Sequence, residues 1–250
     1  MLGVVARGIL ILRGNRRWRW RFPIGSALVE DEWTGVTWNC RHLLSLTPLC
    51  LERLANGTHA DFILLQETHL RQKHHAGSAV QQTLPAGYTS VWSSSKSQRG
   101  GVGFMYHNRH KKSGGVTIFD TPIGCAGYLQ QFRIPTLMGH LTVFNVYLPP
   151  NDADQRDRVW AALHARIATT VGPLLVAGDF NGVPEDHLRS GRIQTRDRDL
   201  RRGISAARLS RSGTDVQRSW HRLAHSGRID DWYSKGDLEG QTTQDRKSVV

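Results

Sequence analysis

The chain has 250 residues, 39% of them hydrophobic and 22% charged, which is enough apolar content for one sizeable core and argues against wholesale disorder. No run of about 18 uncharged apolar residues occurs, which excludes a membrane-spanning helix, and three widely spaced cysteines, Cys40, Cys50 and Cys125, exclude a zinc ribbon, argue against a disulfide framework and fit a reducing, intracellular compartment. Lys and Arg number 33 against 21 acids, a net charge of +12 that draws polyanions by counterion release, nucleic acid foremost.

Residues 1–32 contain no acid before Glu30, and Arg7, Arg13, Arg16, Arg17, Arg19 and Arg21 crowd together with Trp18 and Trp20 among them. Such a start suits an organellar transit peptide, a strand-like or disordered arm touching nucleic acid, or an extension upstream of the folded domain. Sparse Ser and Thr favour the extension, so residues 33–250 are read as the domain.

Thr34–Asn39 is β-branched and aromatic and predicts a strand. Leucines at near-helical spacing predict a helix from about Thr47, with Pro48 at its first position, to Asn56-Gly57. Asp61–Gln66 carries the continuous apolar run of a strand buried on both faces. Further strands are predicted at Tyr88–Trp92, Gly101–His107, Val116–Phe119, Tyr128–Ile134, His140–Tyr147 and Leu174–Ala177. Val159, Leu163 and Ile167 recur every four residues in an amphipathic helix over Asp154–Thr170. Residues 187–228 hold arginines at 189, 192, 196, 198, 201, 202, 208, 211, 218, 222 and 228, which reads as a basic surface insertion or a loop. Strands mixed with helices predict an α/β sandwich, two sheets face to face with helices outside.

Polar residues close several buried strands: Asn39, Glu67 just after Gln66, Tyr147 before Pro149-Pro150, then Asp179 and Asn181. Strand ends on one edge are where ligand sites form in α/β proteins. A carboxylate such as Glu67, with amide and water oxygens, is the hard donor set that Mg2+ prefers. Asp179 can orient or deprotonate a water, and Asn181 and Tyr147 can donate to a developing phosphate oxyanion. Taken singly, each has a structural reading: Glu67 as a helix cap, Gly178-Asp179-Phe180-Asn181 as a turn, Tyr147 as a core aromatic. His69, His74 and His75 read as solvated loop residues.

The order Trp38-Asn39, Gln66-Glu67-Thr68-His69, Gly100-Gly101-Val102-Gly103-Phe104, Asn145-Val146-Tyr147-Leu148-Pro149 and Gly178-Asp179-Phe180-Asn181 resembles the endonuclease/exonuclease/phosphatase superfamily. More narrowly, it resembles the apurinic-endonuclease-like domain of non-long-terminal-repeat retrotransposons. The resemblance implies a four-layer α/β sandwich of two packed mixed sheets flanked by helices. It implies metal binding by Glu67 with Asn39 nearby, Mg2+ or Mn2+ as cofactor, and active-site roles for Tyr147, Asp179 and Asn181. DNA is the implied partner, met by a monomer in the nucleus, with organellar import left open. Arg41 stands where some relatives carry an acid, a feature shared with retrotransposon members.

The C-terminus departs from the pattern. Ser226-Gly227-Arg228-Ile229-Asp230 matches the family's Arg-Ile-Asp strand. Its Ser-Asp-His motif has its nearest counterpart in Asp245-Arg246, where Arg replaces His and the spacing is compressed. Asp230 and Asp245 are therefore the expected catalytic partners, while Arg246, always protonated, cannot act as a base. The reading is a Mg2+-dependent DNA endonuclease weakened by that change. The alternatives are an inactive nucleic-acid-binding relative and a phosphatase of the same fold. Arg196, Arg198, Arg201 and Arg202 are the expected phosphate contacts.

Overall fold

The alternation of side chains along a strand decides the layering. In the computed structural model, β3 (Phe62–Gln66) is buried along its whole length. Phe62 and Leu64 join one core cluster, while Ile63 and Leu65 join another, so the continuous apolar run serves both faces of a sheet. The structure describes residues 17–20, 33–45, 51–52, 55–56, 59–71, 84–95, 100–113, 115–136, 139–172, 174–182, 192–207, 209–211, 220–222, 225–227, 233–234 and 240–243.

The remaining strands are β1 (Arg17–Trp20), β2 (Trp33–Asn39), β4 (Tyr88–Ser93), β5 (Val102–His107), β6 (Thr117–Phe119), β7 (Leu129–Thr136), β8 (Gly139–Tyr147) and β9 (Leu174–Asp179). After them come β10 (Ser210–Arg211), β11 (Trp220–Arg222), β12 (His225–Gly227), β13 (Tyr233–Ser234) and β14 (Gly240–Thr243). Two helices are α1 (Ala153–Thr169) and α2 (Thr195–Ala206). One sheet has the order β14-β1-β2-β3-β5-β4, the other β10-β13-β9-β8-β7-β6, and β11 and β12 form a separate hairpin. Each large sheet is mixed. Its parallel pair is β2 with β3 in the first and β8 with β9 in the second, and the other pairings are antiparallel.

The inner core lies between the sheets, where Phe104 stacks on Phe132 at 3.8 Å between ring centroids. On the outer side of the first sheet, Leu51 and Ala55 are helical where described and share a cluster with Val36, Ile63 and Leu65. On the second sheet, α1 makes the crossover between β8 and β9 and buries Val159, Trp160, Leu163 and Ile167. Asp152 caps α1 by accepting from the Gln155 amide at 2.9 Å, which satisfies one of the free N–H groups of the first turn. This is the expected sandwich of two mixed sheets flanked by helices.

Two stretches differ from the sequence reading. Within the acid-free start, Arg17–Trp20 pairs with β2 and β14, so this part of the expected extension is a strand of the first sheet. Four alternating Arg and Trp residues have the period-two pattern of a strand, and this strand belongs to the sheet rather than to an extension upstream of the domain. Within the Arg-rich stretch 187–228, residues 195–206 are a helix rather than an insertion loop. Leu200 and Gly203 of α2 are buried, and a Cβ at Gly203 would overlap the Trp160 indole of α1. His164 of α1 meets the Gly203 carbonyl at 2.9 Å. A capping box between Gln194 and Asp197 starts the helix. The contact face is one narrow stripe, too sparse in large apolar residues to stand out in the sequence.

Candidate active site

Parallel strands carry their C-terminal ends to the same edge. In the first sheet Asn39 is level with Gln66, and in the second Tyr147 is level with Asp179. The two edges meet face to face. Asn39 Nδ2 donates to Asp179 Oδ2 at 2.5 Å, across a separation of 140 residues in the chain. Asp179 is fully buried and Asn39 is 5% exposed, so the carboxylate is held in a place where water cannot compensate a lost partner.

The tetrapeptide around Asp179 is built by its own turn. Asp179 Oδ1 accepts from the Asn181 backbone N at 2.9 Å, the two-residue side-chain-to-backbone bond that Asp forms in turns. Asn181 takes φ 47° there, and its Nδ2 donates to the Leu148 carbonyl at 3.0 Å. Leu148 N in turn donates to the Asp179 carbonyl at 2.8 Å. Gly178 is required on the strand side: at φ 148°, a Cβ would overlap the Val146 carbonyl. The turn reading of Gly178-Asp179-Phe180-Asn181 therefore holds, and the turn leaves Asp179 at the strand edge beside Asn39.

Glu67 follows β3 in the left-handed region, at φ 51°, and is half-buried. No helix starts from it among the described residues. Its carbonyl accepts from His42 N at 2.7 Å, and Leu43 N donates to the Thr68 carbonyl at 3.0 Å, so the loops after β2 and β3 run side by side. Tyr147 and Glu67 line the same cleft, close enough for the Glu67 carboxylate to act on the phenol. Burial pushes the Tyr147 phenol up first, and the carboxylates of Glu67 and Asp179 push it further. The phenol therefore stays protonated. The Tyr128 ring lies parallel to that of Tyr147, 6.1 Å away.

Beneath this edge a polar network joins the sheets. Gln66 Nε2 donates to Asn145 Oδ1 at 2.8 Å and to Thr37 Oγ1 at 2.9 Å. Asn145 Nδ2 reaches the carbonyls of Gly103 at 2.9 Å and Leu65 at 3.2 Å. Buried polar groups bonded in this way fix the relative placement of the two layers.

A cleft of about 820 Å3 opens over the edge, lined by Glu67, His69, Tyr128, Tyr147, Pro149 and Asp154 among others. Asn39, Asp179 and Asn181 lie behind its wall, each more than nine-tenths buried. His69 is on the wall, where the sequence reading had it in solvent. Its ring meets that of His42 edge to face at 5.6 Å. Burial pushes the His69 imidazole down, with Glu67 acting against that and His42 adding to it. His74 and His75 lie outside the described residues.

Backbone strain marks the same place. Among the described residues six non-glycine ones have positive φ, and five of them, Arg41, His42, Glu67, His69 and Asn181, surround this edge. Such conformations cost about 1–3 kcal/mol each and collect at functional sites. Apart from Asn181, whose residue type tolerates this conformation, none is a Gly or Asn that would signal it in the sequence.

The donor chemistry suits a hard divalent cation. Glu67 offers a half-buried carboxylate on the cleft wall. Asn39 Oδ1 accepts from Arg41 N at 3.1 Å, and an amide oxygen has a second lone pair. Among the described residues no three His, Cys, Asp or Glu side chains gather as a metal cluster. One carboxylate with one amide oxygen matches Mg2+, which keeps several of its waters.

The arginines expected to contact phosphate all fall on α2. Arg198 is exposed, Arg202 is exposed and paired with Asp199 at 2.9 Å, and Arg196 and Arg201 are half-buried. A Cβ on Gly182 would come 2.9 Å from the Arg196 carbonyl, so α2 packs directly on the segment that follows Asn181. Asp230, Asp245 and Arg246 lie outside the described residues.

The model of the Endonuclease/Exonuclease/phosphatase family matches residues 36–246. Among solved structures, the AP endonuclease LMAP from Leishmania major superposes with a TM-score of 0.65 at 14% identity, over 82% of this chain and 79% of that one. The 3'-5' exonuclease NExo from Neisseria meningitidis gives 0.57 at 20% identity, over 80% of this chain and 86% of that one. The endonuclease domain of TRAS1, a telomere-specific non-LTR retrotransposon, gives 0.56 at 14% identity, over 79% and 82%. No curated protein matches the sequence. At these identities the likeness to solved structures is one of fold.

Proposed function

Because the chain belongs to the endonuclease/exonuclease/phosphatase family, we propose that it is a Mg2+-dependent endonuclease of the retrotransposon type that hydrolyses phosphodiester bonds of DNA. The observation that carries this is the meeting of the two strand edges: Asn39 on Asp179 at 2.5 Å, with Glu67 and Tyr147 on the wall of the adjoining cleft. Glu67 holds the cation together with the Asn39 amide oxygen, and Mn2+ has the same ligand preference. Bound there, the ion supplies Lewis-acid polarisation of a phosphoryl oxygen.

The chain's own groups do the rest. Asp179, oriented by Asn39 and by the Asn181 backbone N, aligns the attacking water and takes its proton. Asn181 gives one N–H to Leu148 and keeps a second for the phosphate. Tyr147, kept neutral, donates to the oxyanion that forms. Asp230 and Asp245 are assigned to the same site by their sequence motifs. The net charge of +12 and the exposed Arg198 and Arg202 favour a polymeric substrate over a small phosphoester. A nuclear location and a monomeric state belong to the same reading, as expectations of a DNA-cutting enzyme.

A second reading is favoured by Asp245-Arg246, where the family motif has His: a relative that binds DNA without cutting it. Nicking of supercoiled plasmid with and without Mg2+, beside phosphate release from a small monoester, separates the readings. Mg2+-dependent nicking supports the endonuclease. Plasmid binding without nicking supports the inactive relative, and monoester hydrolysis alone supports a phosphatase.

A further inference from the structure

Arg156, in the first turn of α1, is 5% exposed. Its Nη1 donates to the Pro149 carbonyl at 3.2 Å and to the Pro150 carbonyl at 3.1 Å. Its Nη2 donates to Asp199 Oδ2 of α2 at 3.2 Å. Asp199 turns its other oxygen, Oδ1, to the exposed Arg202 at 2.9 Å. Pro149 and Pro150 line the cleft and follow Tyr147 by two and three residues. One buried guanidinium therefore joins the cleft wall, α1 and the basic helix α2.

Stability alone is a poor reason for this arrangement. Burying an ion pair carries a desolvation cost that often equals its attraction, and apolar side chains of similar volume do as well or better. What an apolar residue cannot do is fix two carbonyls and a carboxylate at set angles, which the planar fork of Arg does. The two carbonyls belong to a Pro-Pro step, whose ring-locked φ angles leave the segment few ways to shift except as a unit. Moving that unit moves Tyr147, because Leu148 lies between and is bonded to the Asp179 carbonyl.

We propose that Arg156 is a positioning residue for phosphodiester cleavage: it clamps the Pro149–Pro150 wall, and with it Tyr147, to the helix that carries Arg198 and Arg202. This rests on the nuclease reading above. Asp199 is the hinge of the coupling, since it divides its two oxygens between the buried Arg156 and the exposed Arg202. A DNA phosphate that engages Arg202 frees Oδ1 and leaves Asp199 to Arg156, so docking of α2 firms the cleft wall.

The test compares wild type with Arg156→Met, which keeps much of the volume, and Arg156→Lys, which keeps the charge but loses the fork. Three quantities are read on the intact chain: Tm, kcat and KM for Mg2+-dependent plasmid nicking, and hydrogen exchange of the Tyr147 and Leu148 amides. In Arg156→Met, kcat per folded molecule falls about tenfold to a hundredfold, the range for a displaced catalytic group. KM stays within about twofold, because the groups that engage phosphate remain, and the two amides exchange faster. Arg156→Lys recovers part of kcat. A kcat that falls only in proportion to the folded fraction would make the role merely structural and overturn the proposal. Unchanged exchange in Arg156→Met overturns the clamp whether or not the chain cuts DNA. Faster exchange in a chain whose wild type cuts nothing overturns the nuclease reading and with it the catalytic role.

Discussion

Replacing Asn39 by Asp changes one N–H donor into an oxygen and little else in shape. In the wild type that donor sits 2.5 Å from Asp179 Oδ2, with both residues nearly out of solvent. Two carboxylates in that geometry cannot both ionise, so one keeps a proton and donates it to the other. At an effective dielectric of about 20, two unit charges about 4 Å apart repel by about 4 kcal/mol, equivalent to about three pH units. The second ionisation of the pair therefore moves from the ordinary carboxylate range toward neutrality. Because that group is raised in the folded chain above its unfolded value, its contribution is intact below the ordinary carboxylate range. It is lost as pH rises toward the raised value, at about 1.4 kcal/mol per pH unit. Urea denaturation of Asn39→Asp and wild type from pH 5 to pH 8 measures this directly. The stability deficit of the variant should be about 3 kcal/mol larger at pH 8 than at pH 5. A deficit that is flat over this range would show that the Asn39 and Asp179 side chains are not in contact.

Tyr147→Phe should lower the rate of plasmid nicking about 100-fold, the cost of one lost oxyanion donor, measured under saturating substrate. Since burial, Glu67 and Asp179 all raise the Tyr147 phenol, the wild-type rate should show no decline from its ionisation up to about pH 10, which a pH–rate profile checks. Replacing Arg198 and Arg202 together by Gln should reduce the slope of log affinity against log salt by about 0.9 per lost phosphate contact. An unchanged slope would mean that α2 faces away from DNA. Arg246→His should raise Mg2+-dependent nicking at least about tenfold, the low end of what a general acid or base contributes. A flat or lower rate would place the limit elsewhere in the C-terminal segment.

Where one physical signal dominated, the sequence was readable. The apolar run of β3 foretold a strand buried on both faces, and the four-residue spacing of Val159, Leu163 and Ile167 foretold α1. Asn39, Glu67, Tyr147 and Asp179 were found as polar residues closing buried strands, and the structure brings all four to one edge. Pairing partners were not readable. Nothing local in Arg17–Trp20 says that it lies between β2 and β14, because strand pairing is set by distant residues. The helix α2 was obscured because its buried face is little more than Leu200 and Gly203 against Trp160. The left-handed backbone at Arg41, His42, Glu67 and His69 had no residue-type signature, since none is Gly or Asn. Nothing in the sequence sets Arg156 apart from the other arginines of a basic chain, since the carbonyls of the Pro-Pro step face it only in the folded structure.

The central claim is that Glu67 is the metal-holding carboxylate of a phosphodiesterase site. Glu67→Gln keeps the shape and removes the charge that a hard cation requires. Its rate of supercoiled plasmid nicking in Mg2+, set against wild type at matched concentration and salt, tests the claim directly. The account predicts nicking by wild type, its loss in the variant, and an unchanged Tm measured without metal. Nicking by Glu67→Gln at the wild-type rate would contradict it.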